Sequence, residues 1–389
     1  MCLNDRIVSF DTWYAQHNAL ISSSGASSKE ECSSTTLPMP LMDLRSEVDW
    51  AKRRLAFTDT NLKVVPFPIE YLKERSFELP ARHVEFDILV RSADLPKASS
   101  FLLGSKENTR KRSQKPWLVK NVLIDDASLW EQATKVGSMR MDEEEPAFPL
   151  PRLWQPDKMV ETVVLPLLRE SLMASVLQHP SKKQKADTPT KDAALTNVVA
   201  DCEIWDLASG AGRDVAFLAE ELKAAKIPFQ QVVGIDHRYN AKEQEIVNGF
   251  WERREVGKLT SCIKMDLSTL EHGLEEELQN RNVVALLAVR FWKASLVEAV
   301  ARNKGSSLKS GTIFATSHFC KPYDGAPWEF AHPTEKTVLQ RNQLKEIFEG
   351  KSEDVVADGK ASVWEILHDE IAMDSDHGRS MIHFVARLR

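Results

Sequence analysis

Three acids in the second half of this 389-residue chain stand at the ends of apolar stretches. Asp206 closes "EIWD", Asp236 closes "VVGID" and Asp266 follows "IKM". A carboxylate offers only acceptor oxygens, so a row of them suits a ligand rich in donors, such as a ribose diol or an amino group. Directly after Asp206 comes "LASGAGRDVAFLAEEL". Gly210 and Gly212 permit a tight turn and a close backbone approach with no Cβ in the way. Val215, Leu218, Ala219 and Leu222 then fall on one face of a predicted helix. The free N–H groups at its start favour a negatively charged ligand group. The dinucleotide fingerprint fits poorly: it wants Gly or Ala where Val215 stands, and it has no place for Asp206.

The substrate side offers a second set. Arg290, Phe291 and Trp292 follow one predicted strand; His318, Cys320, Tyr323 and Trp328 follow the next. Arg290 has the geometry to hold an anion or to form a surface ion pair. His318 is a candidate base or a hydrogen-bonded structural histidine. Trp292 and Trp328 are candidate pocket walls or core rings, and Tyr323 is a further candidate. Cys202 and Cys262 fall in strands, as buried fillers do. With Cys2, Cys32 and Cys320 they make an odd, scattered set without a C-x-x-C pair. That pattern reads as reduced thiols in the cytosol or nucleus, with neither a disulfide framework nor a zinc site. No catalytic triad or metal-ligand set is visible.

These residues need a scaffold, and the length calls for two domains. From residue 202 onward, strand and helix signals alternate: "CEIWDLA", "QQVVGID", "TSCIKMDL", "NVVALLAVRF" and "SGTIFATSHF" read as strands separated by helices. "ASVWEILHDEIA" and "SMIHFVARLR" close the chain as a hairpin turning at "MDSDHGR". The fold class is α/β: a doubly wound, seven-stranded, Rossmann-like sheet with a C-terminal antiparallel hairpin, plus a smaller N-terminal α/β domain. Ligands bind such sheets beyond the carboxyl ends of the strands, where the glycine turn falls. Pro166 predicts a kink or break in the helix that precedes this domain.

In the first half, "LPMPLMDL", "LKVVPFPIEYL", "ARHVEFDILV" and "PWLVKNVLI" read as strands, and "DASLWEQATKVG" as a helix stopped by Gly137. The expected organisation is a flexible segment over 1–36, a domain over 37–140, a Pro-rich acidic linker over 141–156 and a second domain over 157–389. A net charge of −6 provides no general field toward nucleic acid. No apolar run approaches the roughly 20 residues of a membrane span, and the first residues have no secretory apolar core. The basic run at 106–115, "KENTRKRSQK", is read as a solvated loop, with RNA contact or a nuclear signal as the sharper alternative.

The stretch "DLASGAGRD" resembles motif I of class I S-adenosylmethionine-dependent methyltransferases, an acid followed by three alternate glycines. Asp206, Gly210 and Gly212 match; Ala208 replaces the first glycine. The family's second-strand acid matches Asp236 and its third-strand acid Asp266. The resemblance implies a cofactor site of Asp206, Ala208, Ser209, Gly210, Gly212, Asp236, His237, Asp266 and Leu267, with S-adenosyl-L-methionine bound. "VRFWKASLVEAVARN" and "HPTEKTVLQRNQLKEIF" resemble the tellurite-resistance-like small-molecule subgroup. The implied acceptor is a small molecule: a thiol, a chalcogen oxyanion or a carboxylate. An RNA or protein methyltransferase and a non-catalytic binding protein stand as the alternatives.

"LMDLRSEVDW" through "ELPARHVEFDILV" resembles a rhodanese-like domain, with Asp43 and Arg45 as its Asp-x-Arg. Where that family carries a nucleophilic cysteine after Val90, this chain reads "RSADLPKASSF". Sulfur transfer needs a thiolate, so the expected roles are anion binding, partner docking or cover for the second domain.

Overall fold

The computed structural model describes residues 2–24, 40–55, 63–104, 115–137, 139–140, 151–178, 201–267, 273–279, 281–302, 307–350, 363–374 and 378–389. The chain divides into two compact units, Met1–Gln155 and Pro156–Arg389. The basic run at 106–114 and the acidic run at 141–150 lie outside the described residues.

The first unit is built on four parallel strands: β1 (Leu41–Asp43), β3 (Val64–Pro66), β4 (Glu85–Val90) and β5 (Leu118–Ile124), in the order β3-β1-β4-β5. A short antiparallel pair, β2 (Arg54–Leu55) with β6 (Met139–Arg140), accompanies it. The stretch around Pro66 and Pro68 forms only three strand residues before a 3-10 turn at Ile69–Tyr71, because a second proline cannot donate to a ladder. Helix α2 (Glu47–Lys52) is capped by Ser46, whose hydroxyl accepts from the Asp49 N–H. Helices α3 (Leu95–Leu102) and α4 (Ala127–Lys135) follow β4 and β5. The expectation of a flexible start is corrected for its first part. Leu3, Phe10 and Trp13 are fully buried, and helix α1 (Phe10–Ser24) is tied in by the Trp13 and His17 rings on the Asp87 carboxylate at 2.8 and 3.1 Å. Residues 25–39 are outside the description.

The second unit carries a seven-stranded sheet of β7 (Cys202–Leu207), β8 (Gln231–Asp236), β9 (Thr260–Lys264), β10 (Asn282–Val289), β11 (Ile313–Phe319), β12 (Trp364–Met373) and β13 (Ser380–Leu388). The order is β12-β13-β11-β10-β7-β8-β9. The five strands β7–β11 run parallel, and β13 runs antiparallel between β11 and β12. Chain order reverses between β7 and β10, which opens the crevice at their carboxyl ends.

Helix α5 (Leu165–Gln178) begins one residue before Pro166, and a π turn at Val160–Val164 precedes it. The Leu165 N–H reaches back five residues to Val160, so the helix widens by a π turn immediately before Pro166. Helices α6 (Arg213–Ala224) and α7 (Ala241–Arg253) flank β8. The predicted apolar face of α6 is buried, and so are Ala216 and Phe217; Arg169 from α5 reaches Glu221 of α6 at 3.0 Å. Helices α8 (Gly273–Leu278), α9 (Ala294–Arg302) and α10 (Gln343–Glu349) supply Leu278, Val297, Val300, Leu344 and Phe348 to a core shared with Trp205, Leu286, Phe314 and Phe384. No helix among the described residues is long and apolar enough to cross a membrane.

Candidate active site

The turn after β7 is built from backbone that side-chain-bearing residues rarely adopt. Ala208, Gly210 and Gly212 have φ of 61°, 61° and 69°. Ala208 therefore holds the left-handed conformation with a Cβ, at a cost of about 1–2 kcal/mol. Such strain gathers at ligand sites. The bare faces of the two glycines are used by protein. A Cβ on Gly212 would stand 2.8 Å from the Trp251 ring, whose Nε1 donates to the Gly212 carbonyl at 3.0 Å. A Cβ on Gly210 would stand 3.1 Å from the Arg238 guanidinium. Gly212 thus serves the packing of α7 on the turn, which corrects the reading that both glycines clear space for a ligand.

Asp206, one residue before the end of β7, is almost completely buried, and its Oδ1 has no hydrogen-bond partner among the described residues. Burial first, then the neighbouring Asp214, Asp157 and Asp236, push its pKa well above the usual carboxylate value. Asp214, in the first turn of α6, is pushed up to about 7 by burial and then by Asp157. The Asp157 N–H donates to Asp214 Oδ1 at 2.9 Å, and the Ser317 hydroxyl donates to Asp157 Oδ2 at 3.2 Å. Three acids from the start of the unit, from β7 and from α6 therefore crowd one spot. This overturns the expectation that the helix start receives an anion: a negative group there would meet carboxylates. Among the described residues, no group of three His, Cys, Asp or Glu side chains is placed to hold a metal ion. A crowd of carboxylates, with Asp206 buried and Asp157 and Asp214 half-buried, favours protons or an organic cation.

Asp236 ends β8 at the same edge and is differently served. Burial raises its pKa, but the Arg238 side chain and N–H and the Gly210 N–H at 2.9 Å outweigh it, so the carboxyl lies below its ordinary range. His237 is exposed, with Nδ1 3.2 Å from Asp236 Oδ1. The Ser209 hydroxyl shares a hydrogen bond with the Tyr239 hydroxyl at 2.7 Å and its N–H donates to the Ile235 carbonyl, which fastens the turn to β8. Asp266 is exposed and lies two residues past the end of β9, where the sequence reading had it close the strand. Leu267 is buried in the core, so only its backbone remains for a ligand.

The substrate-side candidates separate. Arg290 follows β10 with φ 54°; its N–H donates to the Ser317 carbonyl and its guanidinium lies 3.5 Å from Asp374. It is the ion-paired alternative of the two envisaged. His318 is buried in β11 beside Trp292. Cys320 is fully buried, and burial pushes its thiol up to about 12, which removes it as a nucleophile. Tyr323 is exposed on the loop after β11. The Trp328 indole donates to the Pro333 carbonyl at 2.8 Å and meets Phe319 edge-on.

Asp157, Asp214, Tyr239 and Trp251 were not among the sequence-derived site residues. Asp214 was visible in "GAGRD". Asp157 carries no local signal, because it joins the cluster only through tertiary contact.

No protein-family model matches the chain, and no curated protein matches it. Among solved structures, it is similar to the 1,6-didemethyltoxoflavin N1-methyltransferase of Burkholderia thailandensis, crystallised with S-adenosylhomocysteine: 13% identity over 48% of this chain and 70% of that one, TM-score 0.32. It is similar to the geranyl diphosphate C-methyltransferase of Streptomyces coelicolor at 10% identity, 49% and 72% coverage and TM-score 0.34. A TehB-like methyltransferase of Corynebacterium glutamicum gives 12%, 49% and 81%, and 0.26.

Proposed function

We propose that the second unit is an S-adenosylmethionine-dependent methyltransferase acting on a small molecule. One observation carries this reading: the buried Asp206 oxygen, which has no hydrogen-bond partner among the described residues and is crowded by Asp157 and Asp214 at the carboxyl edge of β7. The crowd is relieved by a positive charge, and the methionine end of the cofactor carries an ammonium and a sulfonium. Asp236 has the acceptor oxygens for a ribose diol once the exposed Arg238 side chain swings away. Asp266, exposed beyond β9, suits an adenine amino group. When bound, the cofactor supplies a methyl group already activated on sulfur. The chain's own task is to align the acceptor and exclude water, for which Trp292 and His318 stand beyond β10 and within β11.

The first unit is read as a rhodanese-like module without sulfurtransferase chemistry, a docking or covering element. Where the nucleophile would stand after β4, Arg91 is paired to Asp94 at 2.6 Å and to Asp49 at 3.1 Å.

The test is methyl incorporation from labelled S-adenosylmethionine into a metabolite extract, an RNA fraction and a protein fraction. Label is expected in the metabolites. Label confined to RNA or protein would replace the small-molecule reading by a macromolecular one.

A further inference from the structure

Alternation along the strands sorts the residues of the seven-stranded sheet onto two faces. Trp205, Leu207, Leu286, Phe314, Ile382 and Phe384 join one core on the first face. Asp206 points to the other. It pairs with Leu287, and Leu287 with Ala315; Ser317, two residues past Ala315, pairs with His383. Asp206, Ser317 and His383 therefore share the face turned away from that core. The Ser317 hydroxyl donates to Asp157 Oδ2 at 3.2 Å, and the Asp157 N–H donates to Asp214 Oδ1 at 2.9 Å. These bonds gather Asp157 and Asp214 on the Asp206 side of the sheet.

Little in the fold offsets this charge. Asp206 is buried, and its Oδ1 has no hydrogen-bond partner among the described residues. A carboxyl in that situation is costly when ionised and tolerated when neutral. Arg213 at the start of α6 and Arg290 after β10 draw the Asp214 pKa down, by less than burial and Asp157 raise it. The Arg290 guanidinium lies 3.5 Å from Asp374, which also holds Arg379 at 2.5 Å. Asp236 from β8 adds a further negative charge beside Asp206, and the Tyr239 hydroxyl faces both. His383 faces Asp157 with Lys158, His368 and Glu370 around it; burial lowers its pKa, so it is neutral at pH 7. Carboxyls crowded in this way share protons and titrate as a group.

We propose that the empty site holds a proton among Asp157, Asp206 and Asp214 and gives it up when the ammonium group of the cofactor's methionine end enters, so that cofactor binding is linked to proton release. This rests on the methyltransferase reading and adds a pH control to its cofactor step. The proton leaves a carboxyl O–H for the buffer, the oxygen keeps the bonding pair, and the ammonium charge takes the place of the proton. A carboxyl that is neutral in the empty site and ionised in the complex makes affinity rise with pH until the empty site itself ionises. With Asp214 titrating at about 7, roughly one-tenth of the empty site is ionised at pH 6 and roughly nine-tenths at pH 8. Affinity should therefore rise about tenfold across that range.

The experiment is calorimetry of the full chain with S-adenosylhomocysteine at pH 6.5, repeated in phosphate, PIPES and imidazole buffers. Their different ionisation enthalpies report the protons exchanged. Absence of binding would defeat the methyltransferase reading itself, and this proposal with it. Binding with no proton released, or with one taken up, would overturn the proposal and leave that reading standing. The expected release is about 0.5–1 proton. Methylthioadenosine, which keeps the adenosine and lacks the ammonium, should release less than about 0.2 of a proton; equal release by both ligands would place the proton elsewhere and overturn the proposal. Asp214→Asn should lower the release at least about twofold, and His383→Gln should keep it. Release lost in His383→Gln and kept in Asp214→Asn would assign the proton to the imidazole instead. A measurement that needs no variant is the infrared difference spectrum of the wild type. The stretch of a neutral carboxyl should disappear on adding S-adenosylhomocysteine, and its persistence would overturn the proposal.

Discussion

Replacing Asp214 by Asn removes one charge from the acidic crowd while keeping an oxygen to accept the Asp157 N–H at 2.9 Å. The rise of the Asp214 pKa from 3.8 to about 7 means that ionising it in the fold costs about 4 kcal/mol, at about 1.4 kcal/mol for each tenfold. The sign follows from proton counting. Between pH 4 and 7 the folded protein holds a proton that the unfolded chain has lost. Stability therefore falls as pH rises through that window and levels off above it. Because Asp214 titrates together with its neighbours, about 2–4 kcal/mol is the expected span. Urea unfolding followed by tryptophan fluorescence at pH 5 and pH 8 measures it. His318 and His383, whose pKa values are lowered by burial, contribute in the opposite direction below pH 6.5. Subtracting the variant's profile from the wild type's isolates the Asp214 part. Asp214→Asn should be more stable than wild type at pH 8, with the advantage shrinking toward pH 5. Equal pH slopes in the two proteins would refute the crowding argument.

Ala208→Gly should relieve the left-handed strain at φ 61° and raise stability by about 1 kcal/mol in the same assay; a loss would show that the alanine methyl is needed for packing. Gly212→Ala should destabilise by about 1–3 kcal/mol, because the new Cβ lands 2.8 Å from the Trp251 ring, and unchanged stability would mean that α7 shifts freely. A sulfurtransferase assay with thiosulfate should read background; steady turnover would show that a thiol reaches the first unit's loop.

The sheet was largely legible because its signals are local. "EIWD", "VVGID" and "TIFATSHF" are apolar runs bounded by turn residues, and the glycine turn sits between a strand and an amphipathic helix. Asp206 and Asp236 could be placed at strand ends by their position after such runs. What stayed hidden depends on tertiary contact. Asp157 reaches Asp214 across 57 residues and Trp251 reaches Gly212 across 39, so neither the acidic crowd nor the reason for Gly212 can be read from spacing. The depth of Cys320 depends on the loop to Leu339, which pairs back on it. The ordered part of the N-terminal segment was missed because Leu3, Phe10 and Trp13 are too few to make a periodic pattern.

The central claim is that the carboxyl edge of β7 and β8 is built for a cationic, donor-rich adenosyl ligand. Calorimetric titration of the wild type and Asp206→Asn with S-adenosylmethionine at pH 7.5 tests it most directly. The wild type should bind, and the variant should bind at least about tenfold more weakly, since an amide cannot ionise to pair with the bound cation as the Asp206 carboxyl can. No binding by the wild type, or equal affinity in the two proteins, would contradict it.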